Sequence, residues 1–301
     1  MQADKERAVV LVVGGVGIDT IVRVPALPLP MADSIHVGPV YDYVAHTGNG
    51  VALGLQALGR PTRFIDFIGD DPQAQLIRAR HRERGLDADY LVHPSGTRRS
   101  VNLVDPHGRR LSLYDGRHPA DLRMPREFYL PHLQAARHMH VSIMHWATAL
   151  FDDAEVLGIP TSTDLHDWDG DNPYHRDFAL RADFVFMSTA ALGARRDDVM
   201  RRILREGRAQ AVIAMAGGEG SYLLTRAMTE VAHTPIARLD LPVVDSNGAG
   251  DAYVAGFLHG HFDGRSLSDC MRLGSIAGAF ACSVPGTAER SLSLDALRRY
   301  G

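Results

Sequence analysis

Asp245-Ser246-Asn247-Gly248-Ala249-Gly250-Asp251 places three small residues directly ahead of a carboxylate, with a second carboxylate, Asp245, upstream. The apolar run that follows through Leu258 has the composition of a buried helix. Small residues let a ligand approach the backbone closely. The first N–H groups of a helix have no partner within it and attract anions. Gly248, Ala249 and Gly250 therefore form a bed for developing negative charge, and Asp251 stands at its mouth, placed to take a proton. An anion hole beside a base is what phosphoryl transfer to a hydroxyl requires. The other reading is a loop whose Asp caps a helix.

The stretch resembles the late motif of ribokinase-like (PfkB) carbohydrate kinases, Asp-Thr-x-Gly-Ala-Gly-Asp, with Ser246 in place of Thr. The resemblance implies that Asp251 deprotonates an acceptor hydroxyl while the 248–250 backbone steadies the transferring group. It also implies ATP as phosphoryl donor, Mg²⁺ on the polyphosphate, and in some members a monovalent cation, for which Asp245 and the Asn247 carbonyl are the candidates.

Earlier stretches carry the same resemblance less fully. Gly14-Gly15-Val16-Gly17-Ile18-Asp19 follows a β-branched run at residues 8–13. A dinucleotide fingerprint fails here, because Thr20 takes its third glycine position and Pro25, Pro28 and Pro30 forbid the helix it needs. An extended segment fits better, and Asp19 stands where the family contacts sugar hydroxyls; a solvated strand-end Asp is the plainer reading. Thr47-Gly48-Asn49-Gly50 opens a helix striped by Val51, Leu55 and Leu58 and stopped by Gly59. Aligned on Leu58-Gly59, Ala45-His46 replaces the family's substrate-holding glycine pair and Gly50 its Asn. Asn49, Gly48 and His46 are thus the expected substrate contacts beside Asp19, with a structural histidine as the alternative for His46.

On the nucleotide side, Met215-Ala216-Gly217-Gly218-Glu219-Gly220 resembles the family's Thr-x-Gly-x-x-Gly turn, with Gly217 and Gly220 matching and Met215 replacing the Thr. Ser275 lies where a pocket-lining Asn is common. Ser188 and Ala191 stand for the Asn and Glu of the motif that orders the Mg²⁺ water shell. Mg²⁺ leans on substrate phosphates, so this loss need not abolish turnover.

These residues need a scaffold, and 301 residues with 45% hydrophobic content suffice for one large α/β domain. Strand-like runs at 138–142, 158–164, 183–187 and 211–215 alternate with helical stretches such as 197–206, as expected of a parallel sheet covered on both faces. Ligands bind at the carboxyl ends of such strands. The strand at 63–68, the helix from Pro72 to Glu83 and Gly85 extend the pattern. The expected fold is a ribokinase-like three-layer α/β sandwich spanning 1–301, with a small β lid from about 18–44 and 96–117. Within the lid, 34–37 reads as a short β piece. Residues 100–104 and 110–114 alternate around Asp105-Pro106-His107-Gly108 as a hairpin. Arg98, Arg99, Arg109 and Arg110 read as edge-strand charges, or as a grip for a phosphorylated substrate.

Net charge is −4 with basic residues dispersed, which argues against nucleic acid. Cys270 and Cys282 are the only cysteines and make no disulfide framework. No membrane span or cleavage pattern is visible, so a cytoplasmic protein is expected. The reading is an ATP-dependent kinase for a hydroxymethyl group of a sugar or nucleoside. A homodimer through the lid is compatible with the resemblance. Two alternatives stand beside it: a weakened homologue that only binds its ligand, motivated by Ser188, Ala191, Met215 and Ala45-His46, and a metal hydrolase built on Asp164, His166 and Asp167.

Overall fold

In a computed structural model that describes residues 9–284, 286 and 288–301, the first apolar run forms β1, Val9–Val13. Residues 1–7, residue 8 of the expected run at 8–13, and Pro285 and Thr287 lie outside the described residues. Strand β1 runs parallel between β4 (Thr62–Ile68) and β8 (Ala136–Ser142). Its side chains divide by parity: Leu11 and Val13 enter one core, Val10 and Val12 the other. A strand covered on both faces has to be apolar at every position, which is why its sequence does not alternate.

The expected runs give β9 (Thr161–Asp164), β10 (Phe184–Ser188) and β11 (Ala211–Met215), and two strands not foreseen, β5 (Asp87–Val92) and β12 (Ser221–Thr225), join them. With β13 (Ala232–Thr234) the order is β13-β12-β11-β10-β9-β8-β1-β4-β5, nine strands among the described residues. All pairings are parallel except those of β12 with β11 and with β13.

One core lies under α3 (Arg126–Ala135), α4 (Leu150–Val156), α5 (Pro173–Arg181) and α6 (Arg196–Glu206), which contribute Leu133, Leu150, Phe178 and Met200. The opposite core lies under α1 (Thr47–Ala57), α2 (Pro72–Glu83), α7 (Ala249–Phe262) and α8 (Leu267–Ala281), which contribute Leu55, Ile77, Phe257 and Met271. A short α9 (Leu294–Tyr300) closes the chain. The three-layer α/β expectation holds.

A separate four-stranded sheet has the order β3-β2-β6-β7, from β2 (Gly17–Arg23), β3 (Tyr41–Ala45), β6 (Arg99–Val104) and β7 (Arg110–Asp115). The expected hairpin is β6–β7. Alternation holds on β6, where Ser100, Asn102 and Val104 are buried, but every residue of β7 is exposed. Residues 34–37 are not a strand: 24–40 carries no regular element. Pro25, Pro28, Pro30 and Pro39 remove the N–H groups a ladder needs.

Arg98 also departs from expectation. It is buried rather than an edge charge, ion-paired with buried Asp66 of β4. Its guanidinium donates twice to the Val16 carbonyl, at 3.1 and 3.0 Å, while Val16 N–H donates to Asp66 at 2.8 Å. The pair fastens the small sheet to the large one.

Candidate active site

Helix α7 starts where the sequence places the anion bed. Gly248 is its N-cap at φ 75°, a left-handed conformation suited to glycine. Ala249 N–H turns back to the Ser246 carbonyl at 3.3 Å. The bed therefore narrows to the N–H groups of Gly250 and Asp251, which first-turn geometry leaves without an acceptor in the helix. Small residues let α7 sink between its neighbours: a Cβ on Gly54 of α1 would stand 2.6 Å from Ala255 Cβ, and one on Gly256 2.6 Å from the Leu273 carbonyl of α8.

Asp251 is buried against α1. A Cβ built on Gly50 would stand 2.6 Å from Asp251 Cβ and overlap its carboxylate. Burial pushes the Asp251 carboxyl well above the usual range; Asp164 and Asp19 push the same way and Arg110 pulls back. A carboxylate held with a raised proton affinity is suited to accept a hydroxyl proton.

Asp164, at the end of the expected strand run 158–164, is the buried last residue of β9, in register with Ser142 of β8. The signal was available, since it ends a parallel strand on the ligand-binding edge. The metal-hydrolase alternative finds no support: no group of three or more His, Cys, Asp or Glu able to hold a metal exists among the described residues. Asp164 instead accepts from His166 N–H at 2.9 Å, and the His166 ring lies 3.4 Å from Thr47 Oγ1.

Asp19 in β2 and His46 at the start of α1, both expected substrate contacts, come together, Oδ1 to Nε2 at 3.1 Å. Ser100 Oγ lies 3.3 Å from the same nitrogen. Gly48 is pressed on the β1 and β8 ends, where a Cβ would stand 2.7 Å from Ser142 Oγ. Asn49 does not join them. It is fully buried, its Nδ2 donates to the Val44 carbonyl at 3.1 Å, and its Oδ1 faces His81 Nε2 at 2.8 Å. Burial pushes His81 down to about 4, so it is neutral. Nε2 must carry the proton to serve Asn49, which leaves Nδ1 to accept from the Tyr90 hydroxyl. Both ends of Asn49 are spent inside the protein, so the expected hydroxyl contact is corrected to a structural one.

Among the residues expected to bind nucleotide, Ser188 closes β10 and its hydroxyl accepts from Ala190 N–H at 3.2 Å. Gly217 and Gly220 form the turn after β11, at φ 54° and 106°. A Cβ on Gly220 would stand 2.8 Å from Ile236 N, so the glycine is obligatory. Met215 lies beneath the anion bed, its Cε 3.6 Å from where a Gly250 Cβ would be. Ser275 is buried, and its hydroxyl accepts from Ala237 N–H at 2.7 Å, holding a loop instead of facing open space.

Asp245, the expected cation candidate, is also engaged within the protein. Its carboxylate takes a hydrogen bond from Arg23 at 3.0 Å and others from Asn247 and Gly286 N–H at 3.0 and 3.3 Å. Arg110 of β7 likewise donates to Asn247 Oδ1 at 2.8 Å. Two arginines of the small sheet thus reach the loop ahead of α7. Local sequence carries no sign of this, because the partners are more than a hundred residues apart.

Residues 178–293 match the model of the pfkB family of carbohydrate kinases. The chain is 45% identical over 298 residues, 98% of each protein, to the acarbose 7(IV)-phosphotransferase of Actinoplanes sp.. The solved structure of a microbiome-derived acarbose kinase superposes with a TM-score of 0.91 at 46% identity, covering 98% of this chain and 99% of that one. Ribokinase of Arabidopsis thaliana, complexed with ribose and ATP, shares the fold at a TM-score of 0.79, 19% identity and 97% coverage of each chain.

Proposed function

Because the chain belongs to the pfkB family of carbohydrate kinases and transfers a phosphoryl group from ATP to a sugar hydroxyl, we propose that its acceptor is acarbose or a similar oligosaccharide-sized carbohydrate. The 45% identity that runs the length of both proteins to an acarbose phosphotransferase carries this reading. The alternative of a homologue that only binds its ligand has no comparable support.

In this reading Asp251 takes the acceptor proton as the hydroxyl oxygen attacks the γ-phosphorus. The N–H groups of Gly250 and Asp251, at the positive end of α7, face the charge that grows on the phosphoryl oxygens. Asp19 of the small sheet and His46 at the start of α1 hold the acceptor, and the small sheet acts as a lid. Its contacts through Arg23 and Arg110 to the loop of Asp245 and Asn247 support that role. Gly217 and Gly220 bound the nucleotide side. Positioning and preorganised charge supply most of the acceleration.

The chain offers Mg²⁺ no dedicated cage among the described residues. Mg²⁺ would enter on the ATP phosphates, and no proton or phosphoryl step is assigned to it. No helix of the described residues is long and apolar enough to cross a membrane, and a supply of ATP fits the cytoplasm. Leu111 and Leu113 on fully exposed β7 offer the lid face for pairing of two copies.

The test is ADP release from ATP with acarbose, ribose, fructose and a nucleoside as acceptors, with Asp251→Asn as the blank. Turnover with acarbose above the blank supports the reading. Turnover confined to a monosaccharide or nucleoside would move the substrate, and silence with every acceptor would count against the whole proposal.

A further inference from the structure

His46 holds a backbone conformation that belongs to glycine. Its φ is 73° and ψ 159°, a region nearly closed to residues with a Cβ. Such a conformation persists only where its surroundings enforce it, and here they do. The ring lies across Gly17, where any Cβ would stand 2.5 Å from His46 Nδ1. The Tyr114 ring centroid is 5.8 Å away. Both His46 and Asp19 side chains are mostly buried, 11% and 14% exposed.

What the strain secures is an incomplete polar pair. Asp19 Oδ1 is buried and has no hydrogen-bond donor among the described residues. His46 Nε2 lies 3.1 Å from it, yet without the alignment of a hydrogen bond. A buried carboxylate oxygen without a donor is costly unless a ligand completes it. The ring nitrogen beside it, which Ser100 Oγ approaches at 3.3 Å, supplies a donor in the Nε2–H tautomer. Together they suit a group that both donates and accepts, and a sugar hydroxyl is such a group.

We propose that His46 is held in its glycine-only conformation to read the acceptor: one acceptor hydroxyl donates to Asp19 Oδ1 and accepts from His46 Nε2–H. His46 thereby positions Asp19 and sets acceptor specificity. The inference rests on the carbohydrate-kinase reading of the same site.

Three variants separate this role from a structural one. His46→Ala keeps the strained backbone and loses the ring. His46→Gly loses the ring and relieves the backbone. His46→Gln keeps a terminal N–H donor at similar reach. The expected result is an acarbose KM raised about tenfold or more in the Ala and Gly variants, on the scale of one lost buried hydrogen bond. The KM for ATP stays within about twofold, since uniform loss of binding is confined to one substrate. The Gln variant recovers most of the acceptor affinity, and His46→Gly melts above His46→Ala. An unchanged acarbose KM in both ring-less variants, or a parallel rise in both KM values, would overturn the inference. Wild-type turnover tests the substrate reading by itself, whereas the variant-to-wild-type ratio tests this one. If the wild type prefers another acceptor, the ratio is measured with that acceptor: a raised KM supports the inference and an unchanged KM overturns it.

Discussion

The Asp251 carboxylate rests on the bare Cα of Gly50, so closely that a Cβ there would stand 2.6 Å from Asp251 Cβ. The base of α7 and the first turn of α1 are fitted to each other, and the absence of a side chain at position 50 makes the fit. Gly50→Ala should push the carboxylate aside. A displacement near 1 Å costs about 10²-fold in rate, so kcat should fall by about that factor with the KM for ATP little changed. Steady-state kinetics checks this; full activity in the variant would remove Gly50 from the account.

Asp251→Asn keeps the shape and removes the proposed base. Turnover should fall by about 10²–10⁴-fold, the usual contribution of a general base, while ATP binding measured by calorimetry persists. Stability should move the other way. Burial raises the folded-state carboxyl above its unfolded value, so the fold favours the protonated form. That preference is fully present below about pH 3.9 and is lost as pH rises through the folded value. At neutral pH that preference counts against the wild-type fold. The Asn variant should melt higher there, and the gap should close as pH falls toward about 4.

The same shift predicts the acid limb of the rate profile. As the proposed base Asp251 acts only when ionised, so kcat/KM should fall with decreasing pH through a midpoint above the about 3.9 of a free aspartate. A profile flat down to that value would show that Asp251 is not the titrating base.

Asn49 should behave as a structural residue. Asn49→Ala strands the His81 Nε2–H and the Val44 carbonyl, a loss of about 1–3 kcal/mol of stability. The acceptor KM should stay within about twofold once the protein is folded. Denaturant unfolding beside kinetics separates the two effects; a large KM change at unchanged stability would restore Asn49 as a substrate contact.

Arg110 reaches from exposed β7 to Asn247, one residue ahead of the Gly248 cap. Arg110→Gln removes a positive charge that acts on Asp251. We expect kcat to fall, but by less than the about 10²–10³-fold of a lost oxyanion-hole donor, because Arg110 acts from the surface. The melting temperature should hardly change, because the side chain is on the surface. A variant with wild-type kcat would confine Arg110 to a surface role.

Much of this protein is written locally. The uninterrupted apolar runs of β1 and β11, the glycine ends of α1 and α2, and the small residues ahead of Asp251 each state their backbone conformation within a few residues. Local rules therefore suffice to read the layered α/β body and the anion bed. Other features depend on distance in sequence and on rotation. Asn49 and Gly50 are neighbours, but successive helical residues point about 100° apart. That rotation sends Asn49 to His81 and Gly50 to Asp251, and the periodicity of α1 does not say which element lies on either side. The turn of Asp164 toward Asp251, the burial of Arg98 against Asp66 and the span from Arg23 to Asp245 likewise need the sheets assembled. Local sequence determined which backbone could cradle a phosphoryl group. Only tertiary packing decided which carboxylates share a desolvated space, because Coulomb interaction and burial act across folded distances and leave no trace in sequence spacing.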